Sequence, residues 1–175
     1  DRAVSASPLP LGVGVLASGR GSNLQAILDE IAAGRLAAAV RVVVADVADA
    51  FALERARRAG VPAVFVDPKA PGGSAAYEQR VAAALRESGV ELVALAGYMR
   101  ICGPTLLAAF PGRILNIHPS LLPAFPGLHV QRRAIEGGAR FSGCTVHFVD
   151  AGVDTGPIVA QAVVPVLDAD TEETP

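Results

Sequence analysis

Leu11-Gly-Val-Gly-Val-Leu-Ala-Ser-Gly-Arg-Gly-Ser-Asn-Leu24 decides the fold. Leu11 to Ala17 is a short apolar run, the pattern of a buried strand. Ser18 to Asn23 is a glycine-rich turn. Beyond it Leu24, Ile27, Leu28 and Ile31 recur at helical spacing, so a helix is expected over Leu24 to Ala33, ended by Gly34. A strand, a turn and a helix start in this order gather free backbone N–H groups and the positive end of the helix dipole at one point, which suits an anion. Gly19 and Gly21 allow the tight turn, while Ser22 and Asn23 add side-chain donors. The spacing fits neither the Walker pattern, which needs a lysine, nor G-x-G-x-x-G. The same residues also suit a plain structural turn capped by Ser22, and the loop alone leaves both readings open.

Outward from this stretch, strands and helices alternate. Strands are expected at Val40 to Ala45, Val61 to Val66 and Glu91 to Ala96. Helices are expected at Ala50 to Ala59, closed by Gly60, and at Ser74 to Ser88, with Ser74 as N-cap. Pro68 to Gly73 reads as a loop. This alternation implies crossover connections and a Rossmann-like, mostly parallel α/β sheet flanked by helices. The second half changes character. Arg113 to Ile117 is a strand, His118 to Gly127 a proline-rich loop and Val130 to Glu136 a helix. Thr145 to Val149 and Ile158 to Val166 read as strands around a polar loop, antiparallel in arrangement.

One domain over residues 11–175 is expected, because 175 residues with 51% hydrophobic and 18% charged side chains can build one sizeable core. Residues 1–10 are small, proline-containing and aperiodic, and read as a frayed tail without the marks of a signal peptide. No apolar run approaches the roughly 20 residues that span a bilayer. Net charge is −2 and the basic residues are scattered, which argues against a nucleic-acid partner. Cys102 and Cys144 have no metal-type spacing, and two unpaired thiols fit a reducing cytoplasm. Arg57-Arg58 reads as a solvated helix face.

The chemistry-bearing residues lie in the second half. Asn116 and His118 close a strand two residues apart, so both side chains face one spot beyond the sheet edge, where open α/β sheets bind ligands. Asp150-Ala-Gly-Val-Asp-Thr-Gly156 supplies two carboxylates on a loop. An amide N–H can stabilise a developing oxyanion, an imidazole can donate a proton, and a nearby carboxylate favours the charged ring. A buried histidine with a satisfied hydrogen bond beside an Asp-Gly turn is the plainer alternative. His129 and His147 are weaker candidates: the first follows the proline-rich loop, and the second lines the site or faces the core. The three histidines are well separated and lack metal-type spacing. Ser120 lacks the G-x-S-x-G setting of a nucleophile elbow.

Four motifs occur in order: Ser18-Gly-Arg-Gly-Ser-Asn-Leu-Gln25, Ala96-Gly-Tyr-Met-Arg-Ile101, Asn116-Ile-His-Pro-Ser-Leu-Leu-Pro123 and Val146-His-Phe-Val-Asp-Ala-Gly-Val-Asp-Thr-Gly-Pro157. Together they resemble the phosphoribosylglycinamide formyltransferase family of folate-dependent formyltransferases, from about Leu11 to the end. The resemblance implies that Gly21, Ser22, Asn23 and Leu24 hold a ribonucleotide phosphate and that Pro119 sits beside the glycinamide. It implies a catalytic trio of Asn116, His118 and Asp154. It assigns Met99, Arg100, Ile101, Cys102, Asn116 and the run Asp150, Ala151, Gly152, Val153 and Asp154 to a folate pocket. The implied donor is 10-formyltetrahydrofolate, used as a co-substrate without a metal, in a cytoplasmic monomer or homodimer.

Three positions depart from the family pattern. Ser74 stands where some members carry a basic residue, and Gln131 where some carry another histidine. The chain stops at Pro175, where members usually continue through a further helix. Sister activities share the trio: formyl transfer to a tRNA or an amino sugar nucleotide, or formyl-folate hydrolysis. The first would need a basic domain and the last no phosphate loop. A non-catalytic nucleotide-binding module would use only the first half of the chain. A dehydrogenase is disfavoured by the missing G-x-G-x-x-G.

Overall fold

A computed structural model describes residues 9–174. Most of the expected frayed tail, residues 1–8, lies outside the described residues. The elements run β1 (Leu11–Ala17), α1 (Ser22–Ala32), β2 (Ala38–Ala45), α2 (Phe51–Arg58), β3 (Ala63–Phe65), α3 (Gly73–Glu87) and β4 (Leu92–Leu95). There follow α4 (Pro104–Ala109), β5 (Ile114–His118), α5 (Val130–Glu136), β6 (Phe141–Phe148) and β7 (Ile158–Pro165).

All seven strands form one sheet in the order β3-β2-β1-β4-β5-β6-β7. The pairs from β3 to β5 are parallel. The β5–β6 and β6–β7 pairs are antiparallel, so the expected change of character in the second half holds. β1 lies between β2 and β4 because the chain winds outward through β2 and β3, then returns to the other side of β1. That reversal opens a crevice beyond the carboxyl ends of β1 and β4, where such sheets take ligands.

Period-two alternation divides the core. Val13, Val15 and Ala17 of β1 pack with Leu24, Ala52, Leu53 and Ala56 beneath α1 and α2. Leu16 joins Val81, Leu85, Leu106 and Ile114 beneath α3 and α4. Burying each of these valine, leucine and isoleucine side chains stabilises the fold by about 1.5–3 kcal/mol.

Several boundaries differ from expectation. α4 has no expected counterpart: it has only six residues and enters through Gly103 and Pro104 at its first turn. β6 begins at Phe141 rather than Thr145, because Ser142 and Gly143 interrupt the apolar pattern while the backbone pairs on with β7. β3 keeps three residues of an expected six-residue run. Neither expected serine cap forms. Gly21 caps α1 in the left-handed region at φ 74°, and Gly72 caps α3 at φ 110°, each without a side-chain cap bond. Ser22 and Ser74 instead lie within the first turns of their helices. Among the described residues no helix is long and apolar enough to cross a membrane.

Candidate active site

The turn after β1 is tied to the neighbouring strand end. Ser18 donates its amide to the Gly97 carbonyl at 3.1 Å, and its hydroxyl accepts the Met99 amide at 2.9 Å. Gln25 is the first residue of α1 to bond back, to the Gly21 carbonyl at 2.9 Å. The amides of Ser22, Asn23 and Leu24 therefore have no intrahelical acceptor, as an anion site requires. Leu24 offers a ligand its backbone only, since its side chain is fully buried in the core. Its place in the helical apolar stripe already implied that.

Asn116 and His118 close β5 and face β6 in fixed register, Asn116 opposite His147 and His118 opposite Thr145. His147 is buried at 2% exposure; its Nδ1 lies 3.0 Å from the Phe148 carbonyl and its Nε2 3.4 Å from Asn116 Nδ2. A carbonyl only accepts, so Nδ1 carries the proton and Nε2 accepts from the amide. The Asn116 amide keeps a second N–H for a ligand. His118, 5% exposed, lies with Nδ1 3.4 Å from Asp154 Oδ2 and Nε2 2.9 Å from the Phe125 carbonyl. Both ring nitrogens thus face acceptors, an arrangement that the doubly protonated ring satisfies.

Asp154 joins the two histidines. Its Oδ2 also accepts the Gly127 amide at 2.9 Å, and its Oδ1 lies 3.8 Å from His147 Nε2. The proline-rich loop below is held throughout. Thr145 Oγ1, fully buried, donates to the Ser120 carbonyl at 2.7 Å and accepts the Leu122 amide at 3.0 Å. Arg133 donates to the Pro126 carbonyl at 2.6 Å.

These residues share one cleft of about 760 Å³. Asn23 lines it from the turn before α1, and Asn116, His118, Pro119 and Asp154 line it from the far side. Met99, Arg100, Ile101 and Cys102 form one wall; Asp150, Gly152 and Val153 form another. Met99 and Ile101 are more than 70% exposed, an apolar rim suited to a flat ring. Cys102 is buried, and burial pushes its thiol up to about 12. The Thr155 hydroxyl, helped by the Gly152 amide, holds the Asp150 carboxyl below the usual carboxylate range. Asp150 accordingly fastens its own loop, at 2.8 Å from Thr155 Oγ1 and 2.9 Å from the Gly152 amide.

Gly21, Ser22, Leu24 and Ala151 are not among the residues lining the cleft, although the first three adjoin Asn23. A side cavity of about 320 Å³ shares the Tyr98–Cys102 wall and is lined by Ser74 and Tyr77. There Arg100 stacks over Tyr77 at 4.8 Å, and the Tyr77 and Tyr98 hydroxyls lie 2.7 Å apart. Sequence reasoning gave little weight to His147 and none to Leu128, Val130 or Cys144, which also line the cleft. Their signal was positional, one strand or one loop away from the Asn-x-His pair.

Fold and cleft together define an α/β transferase. Residues 12–175 match the formyl transferase family. Over 160 residues the chain is 46% identical to the phosphoribosylglycinamide formyltransferase of Bacillus subtilis, spanning 91% of this chain and 82% of that protein. The chain belongs to the phosphoribosylglycinamide formyltransferase family of formyl transferases. Glycinamide ribonucleotide transformylase 1 of Symbiobacterium toebii superposes with a TM-score of 0.92 at 57% identity, over 95% of this chain and 79% of that one. The trifunctional purine biosynthetic protein adenosine-3 of Drosophila pseudoobscura is 48% identical over 164 residues, which cover 93% of this chain but only 12% of that protein.

Proposed function

We propose that this chain transfers a formyl group from 10-formyltetrahydrofolate to the amine of glycinamide ribonucleotide, giving the formylated ribonucleotide and tetrahydrofolate in purine biosynthesis. The carrying observation is the single cleft that Asn23 enters from the anion turn and Asn116, His118 and Asp154 enter from the other side. Its volume, about 760 Å³, lies within the usual range for small-molecule sites, about 300–1,000 Å³.

In this reading the free amides beside Gly21, Ser22, Asn23 and Leu24 hold the ribonucleotide phosphate, and Pro119 abuts the glycinamide. Met99 to Cys102 and Asp150 to Asp154 line the folate ring system largely through backbone groups. The folate supplies an activated formyl carbon. The amine nitrogen bonds to that carbon, the bond from the carbon to the folate nitrogen breaks, and a proton passes from amine to folate nitrogen. Asn116 donates its free N–H to the formyl oxygen as negative charge grows there. His118 exchanges the Phe125 carbonyl for that same oxygen and keeps Asp154 on its other nitrogen. Asp154 holds the ring and takes part in moving the proton. No metal is needed. The protein acts in the cytoplasm, as a monomer or homodimer, without a nucleic-acid or membrane partner.

The test is tetrahydrofolate release measured with glycinamide ribonucleotide present and absent. Release only in its presence supports the transferase. Release without it would mark a hydrolase, and no release in either case a binding module.

A further inference from the structure

The anion turn does not hold its shape alone. The Gly19 carbonyl accepts the Ala52 amide at 3.0 Å, and the Arg20 carbonyl accepts Arg55 Nε at 2.7 Å. Both donors belong to α2. The same guanidinium donates from Nη1 to Gln25 Oε1 at 3.3 Å and stacks over Phe51 at 4.9 Å. Its neighbours Arg57 and Arg58 are largely exposed and pair with Glu54 at 3.8 and 3.0 Å, Arg58 also lying over Phe51 at 5.3 Å.

In a trans peptide the carbonyl and the following N–H point in opposite directions. Anchoring the Gly19 and Arg20 carbonyls on α2 therefore turns the Arg20 and Gly21 amides away from it. Those amides join the free ones of Ser22 and Asn23 on the side away from α2. Gly21 allows the arrangement twice over. Its φ is +74°, and an added Cβ would lie 2.8 Å from both Ala52 Cα and Ala52 Cβ.

We propose that Arg55 is a positioning residue for the acceptor's phosphate: it holds the Arg20–Gly21 peptide so that its N–H faces the anion, without touching the ligand itself. This rests on the phosphate-loop reading above. It assigns to α2 a part in substrate affinity that its surface composition hides, since three arginines on one short helix look like a solvated face.

The experiment titrates ¹⁵N-labelled protein with inorganic phosphate and follows the amide signals of Gly21, Ser22 and Asn23. In the parent protein they shift along a saturating curve. In Arg55→Met the phosphate Kd rises about tenfold, the scale of one lost charged hydrogen bond. The KM for glycinamide ribonucleotide rises in step, while kcat and the KM for the formyl folate stay within about twofold. An unchanged phosphate Kd in the variant overturns the proposal. So does a loss spread equally over kcat, both KM values and thermal stability, which marks a merely structural residue. A parent protein whose turn amides ignore phosphate is a different outcome: it refutes the loop reading itself and the Arg55 proposal with it. Should Arg55→Met not fold, Arg55→Gln, with an amide too short to reach the Arg20 carbonyl, is read in the same way.

Discussion

Asn116→Ala removes the side-chain amide held at the end of β5, and the structure lets its two consequences be weighed apart. In the folded protein the amide makes one long hydrogen bond, 3.4 Å, to the His147 ring, which keeps its own bond to the Phe148 carbonyl. Losing such a bond costs about 0.5–1.5 kcal/mol. In a chain of this size that lowers the melting temperature by about 2–4 °C per kcal/mol. The transition state loses more. A donor aimed at a growing oxyanion is worth about 2.7–4 kcal/mol, or 10²–10³ in kcat. The assay is initial-rate tetrahydrofolate release with both substrates varied, alongside a thermal melt. The expected result is a fall in kcat of about 10²–10³, nearly unchanged KM values and a melt only a few degrees lower. A kcat within about tenfold of the parent's would refute the role given to Asn116. So would a collapse of the melt large enough to account for the lost rate.

Four further outcomes follow from the same coordinates. His147→Phe strips the acceptor that orients the Asn116 amide, so kcat falls by up to about tenfold with KM unchanged; parent-like turnover would reduce His147 to a core residue. Asp154→Asn keeps an acceptor for the Gly127 amide and a residue type at ease in left-handed backbone, yet loses the charge facing His118. It should fold normally and turn over at least about a hundredfold more slowly, and an active variant would remove Asp154 from the trio. Asp150, its carboxyl depressed chiefly by Thr155, binds fewer protons folded than unfolded. Its stabilising effect is therefore present above the ordinary carboxylate value and fades as the pH falls through the lower folded value. Urea unfolding should accordingly separate Thr155→Val from the parent at pH 6 and show the gap closing towards pH 3, whereas a constant gap would contradict the link. The Cys102 thiol, raised to about 12 by burial, should resist iodoacetamide at neutral pH in the native protein and react once urea unfolds it, as mass spectrometry would reveal.

What the sequence discloses here depends on how local the physics is. The β1–turn–α1 unit could be read because one apolar run, one glycine turn and one helical stripe sit next to each other in the chain. Asn116 and His118 could be read because alternate residues of any strand face one way. The approach of Asp154 to His118 follows from no spacing rule. It depends on how a loop between two antiparallel strands folds back, and only the family resemblance anticipated it. His147 needed the β5–β6 register, which sets it opposite Asn116, before its part could be seen. Residue type makes Ser74 a cap and leaves Ser22 open as one, but the glycines before them reach left-handed φ values at little cost and make a side-chain cap unnecessary. α4 escaped because six residues are too few to display a period.

Asp154 lines this cleft in left-handed backbone, as His129 does, and the way it is anchored is informative. It sits at φ +55°, a region that aspartate, with its short polar side chain, visits more readily than most residues with a Cβ. Two contacts hold it, from separate parts of the chain: the Gly127 amide and the His118 ring. Aspartate at this position sets a carboxylate opposite the His118 ring. One carboxylate thereby fastens the loop that carries the Phe125 carbonyl and also faces the ring bonded to that carbonyl. In the proposed reaction a shift of His118 towards substrate would draw on the same Oδ2 that anchors Gly127, which would couple binding and proton movement at a single side chain.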